Sequence, residues 1–129
     1  MILDTSAIVS ILFREPEADR FLRLMSEADR CSISAPNYVE LSIVLERQAP
    51  PETRRQCEML FRRAGIEIEP FSVEQAHLAC QAFHDFGKTR HAAGLNFGDC
   101  FAYALAKMRH EPLLFKGEDF RKTDVIPAL

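Results

Sequence analysis

Four short β-prone runs, each followed by helical stretches, constrain the fold of this chain more than any other feature. The runs are Met1 to Asp4, Cys31 to Ser34, Ile66 to Phe71 and Leu113 to Lys116. After the first, Thr5 to Phe13 reads as a helix through Ala7, Ile8, Ile11 and Leu12. Glu17 to Asp29 carries Ala18, Phe21, Leu22, Met25 and Ala28, one stripe of an amphipathic helix. Pro16 suits the first turn of that helix, where its missing N–H costs nothing. Asn37 to Gln48 is apolar on more than one face until Pro50-Pro51 stops it. A basic, polar helix is predicted from Glu52 to Ala64, with Gly65 placed to end it. Ser72 and Gln75 form a capping box that opens a helix to about Phe86, ending at Gly87. Lys88 to Leu95 is a polar loop, and Asn96 caps a last helix to about Arg109. Asp124 to Ile126 is a candidate final strand. Strands alternating with helices predict an α/β fold with a parallel sheet covered on both faces. No repeat, linker or composition shift divides the chain, so residues 1–129 read as a single domain.

A chain of 129 residues can bury roughly two thirds of its unfolded surface without disulfides or a structural metal. Its formal net charge of -3 argues against coating nucleic acid through bulk charge, while leaving room for a local basic groove. The cysteines at 31, 57, 80 and 100 are too far apart in sequence for a zinc knuckle or a C-x-x-C pair. The chain opens without a basic or secretory segment and has no apolar run long enough to span a bilayer. A cytoplasmic protein with free thiols and no membrane association is expected. His77, His84 and His91 recur every seven residues, but two helical turns set a pair ~10.5 Å apart, too far to share an ion. They are expected at the surface or an interface.

Carboxylates set in apolar sequence are the chemical signal. Asp4 ends the first run, and the carboxyl ends of strands form the ligand crevice of an open parallel sheet. It is also a good N-cap for the helix at Thr5. Glu40 lies in a strongly apolar helix, where a lone buried charge is costly. Asp99 falls at the third helical position after Asn96, where the helix dipole also favours an anion. Gly98 before it leaves room for another backbone or a ligand to approach. Asp119 follows the strand at Leu113, at another carboxyl-end loop, where turn chemistry also explains it. Two like charges ~4 Å apart repel by about 4 kcal/mol at an effective dielectric of ~20. Four acids at one sheet edge therefore call for a cation, and all-oxygen ligands select Mg²⁺ or Mn²⁺ over zinc.

Four segments carry a resemblance. They are Met-Ile-Leu-Asp-Thr-Ser-Ala at the start, Tyr-Val-Glu-Leu around Glu40, Asn-Phe-Gly-Asp-Cys-Phe-Ala-Tyr-Ala-Leu-Ala around Asp99, and Leu-Leu-Phe-Lys-Gly-Glu-Asp-Phe-Arg-Lys-Thr-Asp around Asp119. In this order they resemble the PIN-domain family, and within it the VapC-type toxins of bacterial toxin–antitoxin pairs. The resemblance implies a three-layer α/β/α domain with a central, mainly parallel sheet, and a homodimer. It implies an Mg²⁺- or Mn²⁺-dependent endoribonuclease that hydrolyses RNA with activated water, and a cognate antitoxin that blocks the acidic pocket. Asp4, Glu40 and Asp99 match the three firm acidic positions, as catalytic residues and metal ligands. Asp119 matches the more variable fourth, with Glu118 and Asp124 as neighbours that could share its role. Thr5 or Ser6 matches a hydroxyl position near the metal, and Thr123 a second one.

RNA also needs cations. Lys88, Arg90 and His91 form a basic loop just before the Asp99 helix and are the better candidates. Arg47, Arg54, Arg55, Arg62 and Arg63 read first as a solvated helix face with Glu52 and Glu58 as partners. Phe13 and Tyr38 could stack bases but read first as core. Two other readings stand beside the nuclease: a PIN-like binding module with a decayed site, and a receiver-type signalling domain with an acidic pocket. The receiver expects a pair of acids after the first strand, where Asp4 stands alone.

Overall fold

The computed structural model describes residues 1–129. In chain order the elements are β1 (Ile2–Leu3), α1 (Thr5–Leu12), α2 (Ala18–Glu27), β2 (Ser32–Ser34), α3 (Ala35–Gln48), α4 (Pro51–Ala64), β3 (Glu67–Glu69), α5 (Val73–Phe86), α6 (Phe97–Arg109) and β4 (Leu113–Leu114), followed by a 3-10 turn at Phe120–Lys122. The strands form one parallel sheet in the order β3-β2-β1-β4. Helices lie on both faces, giving the expected three layers.

Side-chain alternation assigns the two cores. Ile2 and Leu113 are register partners and point to one face, where they pack with α5 and α6 through Ala79, Ala82, Ala102 and Leu105. Leu3 and Leu114 are the next pair and point to the other face. There they join Ile33 and the apolar stripes of α1 to α4, including Ile8, Phe21, Met25, Leu41 and Leu45. Ile2, Leu3, Leu113 and Leu114 are fully buried. Each such side chain contributes about 1.5–3 kcal/mol of burial. Two-residue strands suffice because the flanking backbone continues the ladder: Ile2 N–H donates to the Pro112 carbonyl at 2.8 Å and Asp4 N–H to the Leu114 carbonyl at 2.9 Å. The N-terminal ammonium donates to the Arg30 carbonyl at 2.8 Å and to Glu111 at 2.5 Å, which fixes the first residue.

Local chemistry sets the helix ends. Pro51 occupies the first turn of α4, and Gly65 ends it in the left-handed conformation at φ 60°. Ser72 and Gln75 form the expected capping box on α5, and Asn96 with Asp99 forms a second one on α6. Pro16 lies just outside the helix instead of in its first turn, since Glu17 is the N-cap of α2. The expected strand at Asp124 to Ile126 is a single bridge between Leu113 and Pro127. Leu113 N–H donates to the Ile126 carbonyl at 2.8 Å and Ala128 N–H to the Leu113 carbonyl at 2.9 Å, so the pairing is confined to the residues around Pro127, while Thr123 is engaged in a turn of its own.

The strand order decides where a ligand can enter. The chain leaves β1 for β2 and β3 on one side, then returns to place β4 on the other. The crevice of such a sheet opens at the carboxyl ends of the strands where the order reverses, here between β1 and β4. This order also removes the receiver reading, whose five strands run 2-1-3-4-5. On α4, Arg54 pairs with Glu46 and Arg55 with Glu52 on the exposed face. That is the solvated surface expected there, with Glu46 instead of Glu58 as the second partner. Tyr38 is not core: it is exposed and packs edge-on against Phe61, with ring centroids 5.4 Å apart.

Candidate functional site

Asp4 stands at the carboxyl end of β1 and caps α1. Its Oδ2 accepts from the Ser6 N–H at 3.0 Å and the Ser6 hydroxyl at 2.6 Å. The same Ser6 oxygen accepts from the Lys116 N–H at 3.0 Å, so one hydroxyl ties the end of β1 to the chain leaving β4. Thr5 points elsewhere. It is buried and donates to the Asn37 carbonyl at 3.2 Å, locking α1 to the first turn of α3.

Glu40 lies one turn along α3, half-buried. Its Oε1 accepts from the Asn37 amide at 3.2 Å, and that amide also donates to the Gly98 carbonyl at 2.9 Å. The carboxylate lies flat against Gly98. A β-carbon there would overlap Glu40 Oε2 and sit 2.7 Å from Cδ. Gly98 is a point of close approach, but the approaching group is the Glu40 side chain instead of a backbone or a ligand. Next on α6 comes half-buried Asp99, whose Oδ2 accepts from the Asn96 N–H at 3.0 Å in the capping box.

Burial pushes the Asp4 carboxyl up to about 6, aided by the charge of Glu40 and opposed by the Ser6 bonds. Burial likewise raises Asp99 to about 7, with repulsion from Asp4, Glu40 and Asp119 added and the Asn96 N–H opposing. The four acids therefore share one electrostatic field at the carboxyl edge of the sheet. They do not touch: as the side chains stand, no three His, Cys, Asp or Glu groups close into a ligand set. Their donor chemistry fits a hard divalent cation, since all the groups are carboxylates, and burial and mutual repulsion raise the two most buried above the ordinary carboxylate range, a strain that a cation would relieve.

Asp119 is exposed and begins the 3-10 turn after β4. Its two rivals for the fourth position are occupied elsewhere. Glu118 pairs with Arg121 at 3.7 Å. Asp124 accepts from the Tyr103 hydroxyl at 2.7 Å and from Lys107 at 3.0 Å. Burial works against the Asp124 carboxylate, yet those two partners hold its carboxyl below the ordinary value. Thr123 donates to the Phe120 carbonyl at 2.7 Å and accepts from the Val125 N–H at 3.3 Å, closing its own turn.

The loop from Lys88 to Leu95 is anchored between α5 and α6. Lys88 N–H donates to the Leu95 carbonyl at 2.8 Å, and Leu95 N–H to the Phe86 carbonyl at 2.9 Å. His91 serves this loop: Nδ1 accepts from the Ala93 N–H at 2.9 Å and the ring meets Phe86 edge-on. Lys88 and Arg90 are exposed and form no ion pair, and Lys122 reaches the Ala92 carbonyl at 3.4 Å to join them. His77 and His84 are exposed, as their spacing suggested.

Sequence reasoning missed Asn37. It is completely buried and joins Glu40 to Gly98 across 61 positions of sequence. Its Oδ1 accepts no bond from the protein. The available signal was a polar residue three positions before an acid on an apolar helix, which is equally the pattern of a solvated first turn.

A family model described as the PIN domain matches residues 1–126. Among similar proteins, Ribonuclease VapC28 of Mycobacterium tuberculosis is 47% identical over 130 residues, covering 100% of this chain and 98% of its own. VapC ribonuclease Mb2780c of Mycobacterium bovis is 43% identical over 129 residues, covering 99% and 98%. The fold resembles VapC20 of Mycobacterium tuberculosis, described as a sarcin–ricin loop cleaving toxin, with a TM-score of 0.75 at 14% identity over 97% of this chain and 95% of that one. It also resembles VapBC2 of Rickettsia felis bound to a promoter DNA fragment, with a TM-score of 0.75 at 17% identity over 98% and 95%. With the family model and full-length relatives in agreement, the chain belongs to the PIN-domain family, among its VapC ribonucleases.

Proposed function

We propose that this protein is a divalent-metal-dependent endoribonuclease and the toxin of a toxin–antitoxin pair. What supports the reading is that Glu40 lies against Gly98 beside Asp99, while the charges of Asp4, Glu40 and Asp119 add to burial in lifting Asp99 to about 7. Asp4 and Asp99 are assigned as direct or water-mediated ligands of Mg²⁺ or Mn²⁺. Glu40 holds or orients a water, and Asp119 completes the shell from the rim. A bound cation supplies a water of lowered pKa and neutralises charge on the phosphoryl oxygens.

The chain's own residues do the rest. Ser6 aims Asp4 through two bonds and couples it to the chain leaving β4. The capping box holds Asp99 at the start of α6, so its carboxylate is positioned by backbone. No histidine lies among the four acids, so activation of the attacking water falls to carboxylate and cation. Lys88, Arg90 and Lys122 form the cationic rim that would hold RNA phosphates, making affinity fall as salt rises. The full-length likeness to VapC ribonucleases supports RNA as substrate. The likeness to a toxin–antitoxin complex of Klebsiella pneumoniae, with a TM-score of 0.74, supports an antitoxin partner. A homodimer and a cytoplasmic location complete the proposal; no helix is long and apolar enough to cross a membrane. The four acids argue against a decayed module.

The test is RNA cleavage by the purified protein with Mn²⁺ or Mg²⁺, with and without chelator, beside Asp99→Asn. Cleavage that needs the cation and vanishes in a folded variant is the expected result. Parent-like cleavage by Asp99→Asn overturns the site.

A further inference from the structure

We propose that Asn37 is a positioning residue whose buried amide, together with the bare face of Gly98, holds the Glu40 carboxylate at the mouth of the acidic crevice. This rests on the metal-site reading above. Three observations support it. The amide nitrogen donates to Glu40 Oε1 at 3.2 Å and to the Gly98 carbonyl at 2.9 Å, so one group sets both the carboxylate and the helix it lies against. The glycine has no side chain where Glu40 rests, and any β-carbon would displace it. The amide is wholly buried while its Oδ1 accepts nothing from the protein. Both bonds that the amide makes within the protein therefore go to Glu40 and to the helix that Glu40 lies against. The arrangement makes sense as geometry. Glu40 repels both Asp4 and Asp99, and left free it would swing toward water. The amide and the glycine hold it against that repulsion.

Support of this kind around a metal site changes ion affinity by about 10- to 100-fold when removed. The test is calorimetric titration of Mn²⁺ into the full-length parent, Asn37→Ala, Gly98→Ala, Glu40→Ala and the Asn37→Ala/Glu40→Ala double variant, with RNA cleavage measured in parallel. Asn37→Ala should weaken Mn²⁺ binding by about that factor. Adding it to Glu40→Ala should change nothing further, because it acts only through Glu40. Gly98→Ala leaves Asn37 in place and should weaken Mn²⁺ as well, which keeps the test alive if Asn37→Ala does not fold. Parent-like Mn²⁺ affinity in folded Asn37→Ala or Gly98→Ala overturns the proposal. So does an equal loss from Asn37→Ala with and without Glu40, since that marks a merely structural residue. A parent that binds Mn²⁺ but leaves RNA intact sinks the ribonuclease reading while the titrations still decide the role of Asn37. A parent that binds no Mn²⁺ overturns both.

Discussion

Asp4 and Asp99 carry opposite obligations at the residue scale. Each is placed by cap geometry that any helix start could use, yet each is held at a pKa that weakens the metal-free fold. The sign follows from linkage. Both carboxyls sit above their ordinary 3.8, at about 6 and about 7, so the folded state binds protons more tightly than the unfolded chain. Their favourable contribution is complete below pH ~4 and is lost as pH rises through ~6 to ~7. Metal-free protein should therefore melt at lower temperature at pH 8 than at pH 5. The difference is on the order of a few kcal/mol, since each tenfold change in proton affinity is worth about 1.4 kcal/mol. Thermal melts across that range in the presence of chelator check this. Asp4→Asn should flatten the profile and raise the melting temperature at pH 8 while abolishing cleavage. A variant as pH-sensitive as the parent would mean that the titration lies elsewhere.

At the scale of elements, α6 matters most because its first turn is both a structural cap and part of the site. Asn96→Ala removes the side chain that accepts from the Asp99 N–H. A lost cap of this kind costs about 1 kcal/mol. The Asp99 carboxylate keeps its bond from the backbone N–H of residue 96, so cleavage should fall by no more than the stability loss explains. Chemical denaturation beside initial rates separates the two effects. The same element shows what was legible in sequence. Asn96, Gly98 and Asp99 announce a cap, a close approach and an acid, because all three are local facts of one turn. Ser72 with Gln75 and Gly65 were legible for the same reason. What touches Gly98 was not, because Glu40 comes from a helix 58 positions earlier, and a contact at that separation leaves no periodicity to read. Thr123 adds another local fact: its hydroxyl donates to the Phe120 carbonyl and closes a turn. The supposed strand at Asp124 shrinks to one bridge, because only Ile126 and Ala128, on either side of Pro127, bond to Leu113 while Asp124 is drawn to Tyr103 and Lys107.

For the whole molecule, the sheet order was the least legible property and the one that makes a site. Strand and helix alternation predicts a parallel sheet, but only the pairing of β1 with both β2 and β4 puts Asp4 at the reversal. The cation should therefore be felt globally. Adding Mn²⁺ or Mg²⁺ to chelated parent should raise the melting temperature, and Asp99→Asn should respond far less. A residue added ahead of Met1 should lower stability, because the N-terminal ammonium is held by Arg30 and Glu111. Comparing tags at the two ends by melting temperature checks that.

The pairing of Ile2 and Leu3 with Leu113 and Leu114 has a further consequence. The first strand can pair early with β2, but its other neighbour, β4, is missing until residues 113 and 114 have been added. Until then Asp4 stands at an open sheet edge, without the Lys116 N–H that bonds to Ser6 beside it. A chain cut before residue 113 should therefore neither melt cooperatively nor bind Mn²⁺ in a titration.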